Sequence, residues 1–276
     1  MGKKLTLHLQ QNTTLERVSS ILYFFNNQET DLEQLAITCQ VGVPVLQKLI
    51  FPFLRSISIS KQNPPQLTQL GKVAANIQQS NPKLLGDFLH LVIYSLHLEE
   101  PDKRFSWAYA TVVQQLWVRK EVIVSPAEKK SLVGEVIETA SHKFELPSSE
   151  IAFSDSSVAG VLNWLRSLSP TVLESEGKLE RFSRRYFCTA PILLKAVDTI
   201  YRQLQRTYGV KIFLREDIQE RLCQILLLDP SGLDNTLDNA KHTYDYDQGG
   251  LFDWGYEGGY GQWVMLSQSP EWTQLL

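Results

Sequence analysis

The chain has little cysteine. Its three thiols, Cys39, Cys188 and Cys223, are odd in number and far apart. They fit a reducing, intracellular compartment and offer no metal knuckle. There is also no run of about 18 uncharged apolar residues, so no transmembrane helix is expected. After Met1-Gly2-Lys3-Lys4-Leu5 no apolar stretch develops, because His8, Gln10, Gln11 and Asn12 interrupt it, and no signal peptide is expected. The Met-Gly start with Thr6 matches the opening of a myristoylation pattern, against which the Lys3-Lys4 pair argues. No GxSxG, P-loop, GxGxxG or CxxC segment occurs, and the carboxylates fall into no nameable pairing. The expectation is therefore a non-enzymatic protein without cofactor or metal. His90 and His97 lie seven apart, not at the i, i+4 spacing of a helical zinc site. The aspartates near the end of the chain match no EF-hand.

What is present is an ordinary globular composition. The 276 residues are 43% hydrophobic, enough for a folded core and for two or three small domains. The net charge of −3 argues against a surface that grips nucleic acid all round. The charge is unevenly spread, however. Between Lys178 and Arg215 nine Lys/Arg face only Glu180 and Asp198; between Asp229 and Leu276 the single cation Lys241 faces eight Asp/Glu. A basic block followed by an acidic tail requires a functional explanation.

The stretch from Thr30 to Ile77 carries the clearest local pattern. Thr30-Asp31-Leu32-Glu33 has capping-box spacing and opens a short helix with Leu32, Leu35 and Ala36 inward. Cys39-Gln40-Val41-Gly42 breaks it, and a second helix begins near Val43 with Pro44 in its first turn and an apolar stripe of Val45, Leu46, Leu49 and Ile50. Ile57 and Ile59 alternate with Ser56, Ser58 and Ser60, a strand period; Lys61 to Pro65 turns, and Leu67-Thr68-Gln69-Leu70-Gly71 leads into another helix. Helix, turn, helix and hairpin together predict a winged helix-turn-helix.

The remaining chain reads as mainly α with small β-hairpins. Leu5, Leu7 and Leu9 alternate as a short strand, and Leu15 to Phe25 forms a first helix. Ser80-Asn81-Pro82 caps and starts a helix apolar on nearly every side, the expected spine of a helical middle domain over 80–168. Ser125-Pro126-Ala127-Glu128 opens another, running to Ser141. Beyond Ser169, short strands flank Gly177, a long helix follows Pro191, and Tyr244 to Leu266 forms a Gly-rich acidic hairpin. This predicts a second winged-helix-like domain over 169–276, so that winged-helix units at 1–79 and at the other end flank the middle.

Three groups of residues could carry function. In the first unit Gln47 and Lys48, with Arg55 and Lys61, are placed to approach a DNA groove. In the basic block Arg181, Arg184 and Arg185 flank Phe182, Tyr186 and Phe187, and Arg202 and Arg206 lie four apart; clustered cations suit phosphates, and aromatics among them can stack on bases, the alternative being solvated helix arginines around core aromatics. Asp245, Asp247, Asp253 and Glu257 beside Tyr244, Tyr246, Trp254, Tyr256 and Tyr260 would repel a phosphate backbone, so this hairpin suits a basic partner surface or a cover for the basic block, or is a plain flexible loop.

Leu67-Thr68-Gln69-Leu70-Gly71, Asn81-Pro82-Lys83-Leu84, the apolar His90-Leu91-Val92-Ile93-Tyr94 and the tryptophan-bearing Phe105-Ser106-Trp107-Ala108-Tyr109 occur in an order that resembles an uncharacterised bacterial winged-helix family of phage-defence clusters, including those for DNA phosphorothioate modification. The resemblance spans about residues 15–165, and Asn81 stands where the family has Asp. It implies a cytoplasmic, DNA-associated defence component. The expected function is a non-enzymatic DNA-binding subunit of a bacterial defence or mobile-element complex, with DNA and protein partners and no membrane. The alternatives are an adaptor whose winged helices dock partner subunits, or a transcriptional regulator with a dimer and a palindromic site.

Overall fold

The computed structural model describes residues 4–29, 31–62 and 65–276. Met1, Gly2 and Lys3 of the start, Thr30 of the expected capping box, and Asn63 and Pro64 of the expected turn lie outside them. Helices account for 59% of the chain, with small sheets between them, as the hydrophobic periods imply. The chain divides into two compact units, one of residues 1–115 and 122–182, the other of residues 116–121 and 183–276. The boundaries expected at 79/80 and 168/169 thus both fall inside the first unit.

In the first unit, β1 (Leu5–Thr6) pairs in parallel with β5 (Ile151–Ala152), and Leu7 N–H extends the ladder to Ala152 O at 3.0 Å. Leu5, Leu7 and Leu9 are buried, as their alternation implies. Helix α1 (Leu15–Asn26) buries Val18, Ile21, Leu22 and Phe24. Helix α2 (Leu32–Thr38) is capped by Asp31, whose carboxylate accepts from the backbone N–H groups of Glu33 and Gln34. This cap satisfies donors that have no partner inside the helix.

After the turn at 39–42 the chain is helical to Ser56, as α3 (Val43–Val45), a π turn (Leu46–Ile50) and α4 (Phe51–Ser56). The π turn explains how Pro52 is accommodated. Phe51 N–H reaches back five residues to Leu46 O, and this wider turn makes room for a ring that would clash with a tighter one. The strand expected from Ser56 to Ser60 is accordingly shortened to β2 (Ser60–Lys61), paired with β3 (Gln66–Leu67). Ile57 and Ile59 alternate because they close a helix: Ile57, Ser58 and Ile59 N–H bond back to Phe53, Arg55 and Leu54, and Ser58 takes φ +59. Both isoleucines are fully buried, so burial alone did not distinguish a strand from a helix terminus.

Thr68 caps α5 (Gln69–Ser80) by accepting from Gly71 N–H at 3.0 Å. Helix α6 (Pro82–Glu99) is buried along most of its length and packs on α5 and on α9 (Asp155–Leu165). Its Gly86 is where the neighbouring backbone comes closest: a Cβ there would lie 1.9 Å from Ser167 O. Helix α7 (Arg104–Arg119) buries Trp107 and Tyr109, β4 (Glu121–Ile123) follows, and α8 (Pro126–Phe144) starts on the expected Ser125 cap but runs past Ser141. The hairpin of β6 (Leu173–Glu176) and β7 (Leu179–Ser183) turns at Gly177 and joins β4 in the order β4–β7–β6.

The second unit runs α10 (Ala190–Gln203), β8 (Ile212–Phe213), α11 (Glu216–Leu226), α12 (Leu233–Tyr244), β9 (Phe252–Glu257), β10 (Gly261–Leu266) and a last turn, α13 (Trp272–Leu275). Its antiparallel sheet has the order β8–β10–β9, with Trp263 opposite both Phe213 and Gly255. Phe252, Val264, Leu266 and Ile212 turn one face of this sheet into the core, which α10 and α12 fill from the other side with Leu193, Val197, Ile200, Leu233 and Leu237.

Candidate functional site

The sequence-expected DNA-facing residues of the first unit lie near the surface. Gln47 and Lys48 are exposed on the π turn, Lys61 is exposed on β2, and Arg55 is half-buried on α4. Beside β3 lies an open cleft of about 920 Å³ between the end of α1, the start of α2 and α5. Phe25, Leu32 and Leu67 give it an apolar floor, and Gln66, Gln69 and Asn76 line its sides with Lys61 and Lys72. No feature of the sequence read in isolation marked this cleft, because its walls come from five separate elements, α1, α2, β2, β3 and α5.

The basic block does not form one cationic surface. Arg181 makes a two-pronged ion pair with Glu176 across the β6–β7 hairpin, at 2.8 and 2.7 Å. Arg184 lies 3.7 Å from the centre of the Trp117 ring, donates to Trp117 O at 2.8 Å and faces Asp229 at 3.6 Å. Arg185 is only 2% exposed; its Nε donates to Leu226 O and its backbone joins Leu227 and Asp229. Arg185 ties the end of α11 to the segment before α10, and Arg184 ties that segment to the end of α7, which takes both guanidinium groups away from the reach of a phosphate. Arg202 pairs at 3.3 Å with Asp198, a buried carboxylate that also holds Lys195, Tyr208 Oη and Ser269 Oγ. Arg206 is exposed. Tyr186 and Phe187 remain at the surface, while Phe182 is buried.

The acidic tail folds into a definite surface. Asp234 and Asp238 are exposed on α12. The two carboxylate oxygens of Asp234 accept from Tyr256 Oη at 3.2 Å and Gln262 Nε2 at 2.9 Å, so helix and hairpin are tied through it. Burial and the nearby Asp234 carboxylate, with Asp238 beyond it, push the Tyr256 phenol above its ordinary value. Lys211 bridges to Glu257 at 2.8 Å and lies over the Trp263 ring, and Lys241 is held by Asp253.

His90 and His97 serve the packing of α6 on α7. His90 is fully buried against Tyr109 Oη at 2.7 Å, and His97 meets Ser106 Oγ. Burial, with the charge of Lys143, holds the His97 imidazole down at about 4, so it is neutral near pH 7. Among the described residues no group of His, Cys, Asp and Glu is arranged to hold a metal ion, and no single helix is long and apolar enough to cross a membrane. No family model, curated protein or solved structure matches the chain.

Proposed function

We propose that the chain is a non-enzymatic docking subunit of a bacterial defence or mobile-element assembly, built on winged-helix units, with the second unit engaging protein. The observation that carries this reading is the sign of the charge on α12 and the β9–β10 hairpin. The order α10, β8, α11, α12, β9, β10, with β10 between β8 and β9, supports a winged helix in which α12 is the third helix and the hairpin is the wing. A nucleic-acid reader places cations on those two elements. Here α12 presents Asp234 and Asp238 at the surface, while the hairpin's Glu257 and Asp253 are paired with Lys211 and Lys241, and Arg184 and Arg185 are engaged elsewhere in the unit. The resemblance of residues 15–165 to a winged-helix family of defence clusters supports the assembly context.

A second reading, DNA contact by the first unit, is favoured by the exposure of Gln47 and Lys48 on the helical segment after the 39–42 turn, with Lys61 in the β2–β3 hairpin. The helix pair and two-stranded ladder there support the same winged-helix reading.

One pair of measurements separates the readings. Purified protein is titrated with duplex DNA at low and moderate salt, and it is co-expressed with the product of the adjacent gene and passed over a sizing column. Docking predicts co-elution and no DNA affinity at moderate salt. Salt-sensitive DNA binding that disappears in Gln47→Ala/Lys48→Ala, without co-elution, would replace it with the second reading.

A further inference from the structure

We infer that the face formed by α12 and the tip of the β9–β10 hairpin takes an arginine-rich segment of a protein partner. The inference rests on the docking reading and names the chemistry of the partner. Tyr256 and Tyr260 project from the hairpin tip 66% and 67% exposed. Tyr256 sits beside Asp234, whose carboxylate is held in place by Tyr256 and Gln262, and Tyr260 packs against Phe213 with ring centres 5.4 Å apart. An exposed ring next to a positioned carboxylate matches a guanidinium: the flat cation lies on the ring, and its paired N–H groups reach the carboxylate oxygens. A lysine ammonium gains the charge attraction but neither the flat stacking nor the two-pronged bond. Asp238 adds charge of the same sign on α12; at the hairpin Glu257 is paired with Lys211, and Lys241, the one cation between Asp229 and Leu276, with Asp253. A phosphate backbone meets repulsion on this face, and a glutamate-rich peptide meets the same.

The test is fluorescence anisotropy of the full chain with a labelled arginine–serine repeat peptide, alongside lysine–serine and glutamate–serine repeats of equal length. The arginine repeat is expected to bind, the lysine repeat to bind several-fold more weakly, and the glutamate repeat not to bind. Asp234→Asn/Asp238→Asn and Tyr256→Ala are each expected to weaken the arginine repeat by about tenfold, equivalent to ~1.4 kcal/mol. Glu138→Gln, an exposed acid on α8, is expected to leave it unchanged. Circular dichroism of each variant establishes that it is folded. Equal affinity for arginine and lysine repeats, or an equal loss in Glu138→Gln, reduces the effect to net charge and overturns the inference. Co-elution with the adjacent gene product that survives Tyr256→Ala and Asp234→Asn/Asp238→Asn overturns the arginine face and leaves the docking reading standing. Loss of co-elution already in the wild type removes the docking reading, and the peptide titration still decides the chemistry of the face.

Discussion

The Arg184 guanidinium lies 3.7 Å from the centre of the Trp117 ring while its Nε donates to the carbonyl of that same residue at 2.8 Å. One side chain thus stacks on the ring and satisfies the backbone of a single tryptophan, whose own indole N–H is taken by Leu228 O at 2.8 Å. Arg184→Ala leaves a buried carbonyl without its donor and uncovers the ring, and is expected to lower stability by about 2–3 kcal/mol. Arg184→Lys is expected to recover only part, because the flat contact is lost. Arg206→Ala, at an exposed position, is expected to change stability by no more than about 0.5 kcal/mol. Urea unfolding followed by circular dichroism checks all three, and equal effects at 184 and 206 would contradict the structural role.

Asp198 ties the end of the second unit to α10. Its buried carboxylate accepts from Lys195, Tyr208 and Ser269, and Lys195 in turn donates to Pro270 O. Removing one member of such a network strands the others, so Asp198→Ala is expected to cost about 3–5 kcal/mol. The segment after Leu266 is expected to become the first site of cleavage in limited proteolysis. An unchanged cleavage pattern would show that α13 is held by its other contacts, including the Tyr244 Oη bond to Leu275 O, without Asp198.

His97 makes the first unit sensitive to acid. Its imidazole titrates near 4 in the folded chain and near its ordinary 6.5 in the unfolded one. The unfolded state therefore binds the extra proton first as pH falls. Stability is full above about pH 6.5 and declines between there and pH 4. The shift allows at most about 3 kcal/mol, and partial exposure of the ring brings the expectation to roughly 1–2 kcal/mol. Comparing wild type with His97→Gln at pH 7 and pH 4.5 checks this: the variant is expected to lose less stability across the interval.

Two glycines on helices have opposite expected responses. Gly86→Ala forces a Cβ into the Ser167 carbonyl and is expected to destabilise by about 2 kcal/mol or more. Gly134→Ala on α8 adds a Cβ with no neighbour within 4 Å and is expected to stabilise by about 0.5–1 kcal/mol through helix propensity. Thermal melts of the two variants measure both, and a lowered melting temperature for Gly134→Ala would contradict the open space at that position.

The elements that could be read along the chain were those whose signals are local. Pro82 and Ser125 start helices where proline and a capping hydroxyl place them, and the apolar run from Leu84 to Leu96 is buried as its composition demands. The 56–60 segment misled because a helix terminus and a strand can bury the same two isoleucines; the π turn that carries the helix past Pro52 depends on the Phe51–Leu46 bond and leaves no mark in composition.

The sequence by itself determined the helical class, the Ser125 cap, the absence of a long apolar span, and the one-sided charge after Asp229, since each depends on residues close together in the chain. Only the tertiary structure decided which charges face outward. Arg181, Arg184, Arg185 and Arg202 form a basic block in one dimension. In three dimensions Glu176, Trp117, Leu226 and Asp198 engage them one by one, because a guanidinium on or near a buried surface must find partners for its N–H groups. The acids of the hairpin found counterparts as well, Glu257 in Lys211 and Asp253 in Lys241, while Asp234 on α12 stays at the surface and accepts from Tyr256 and Gln262.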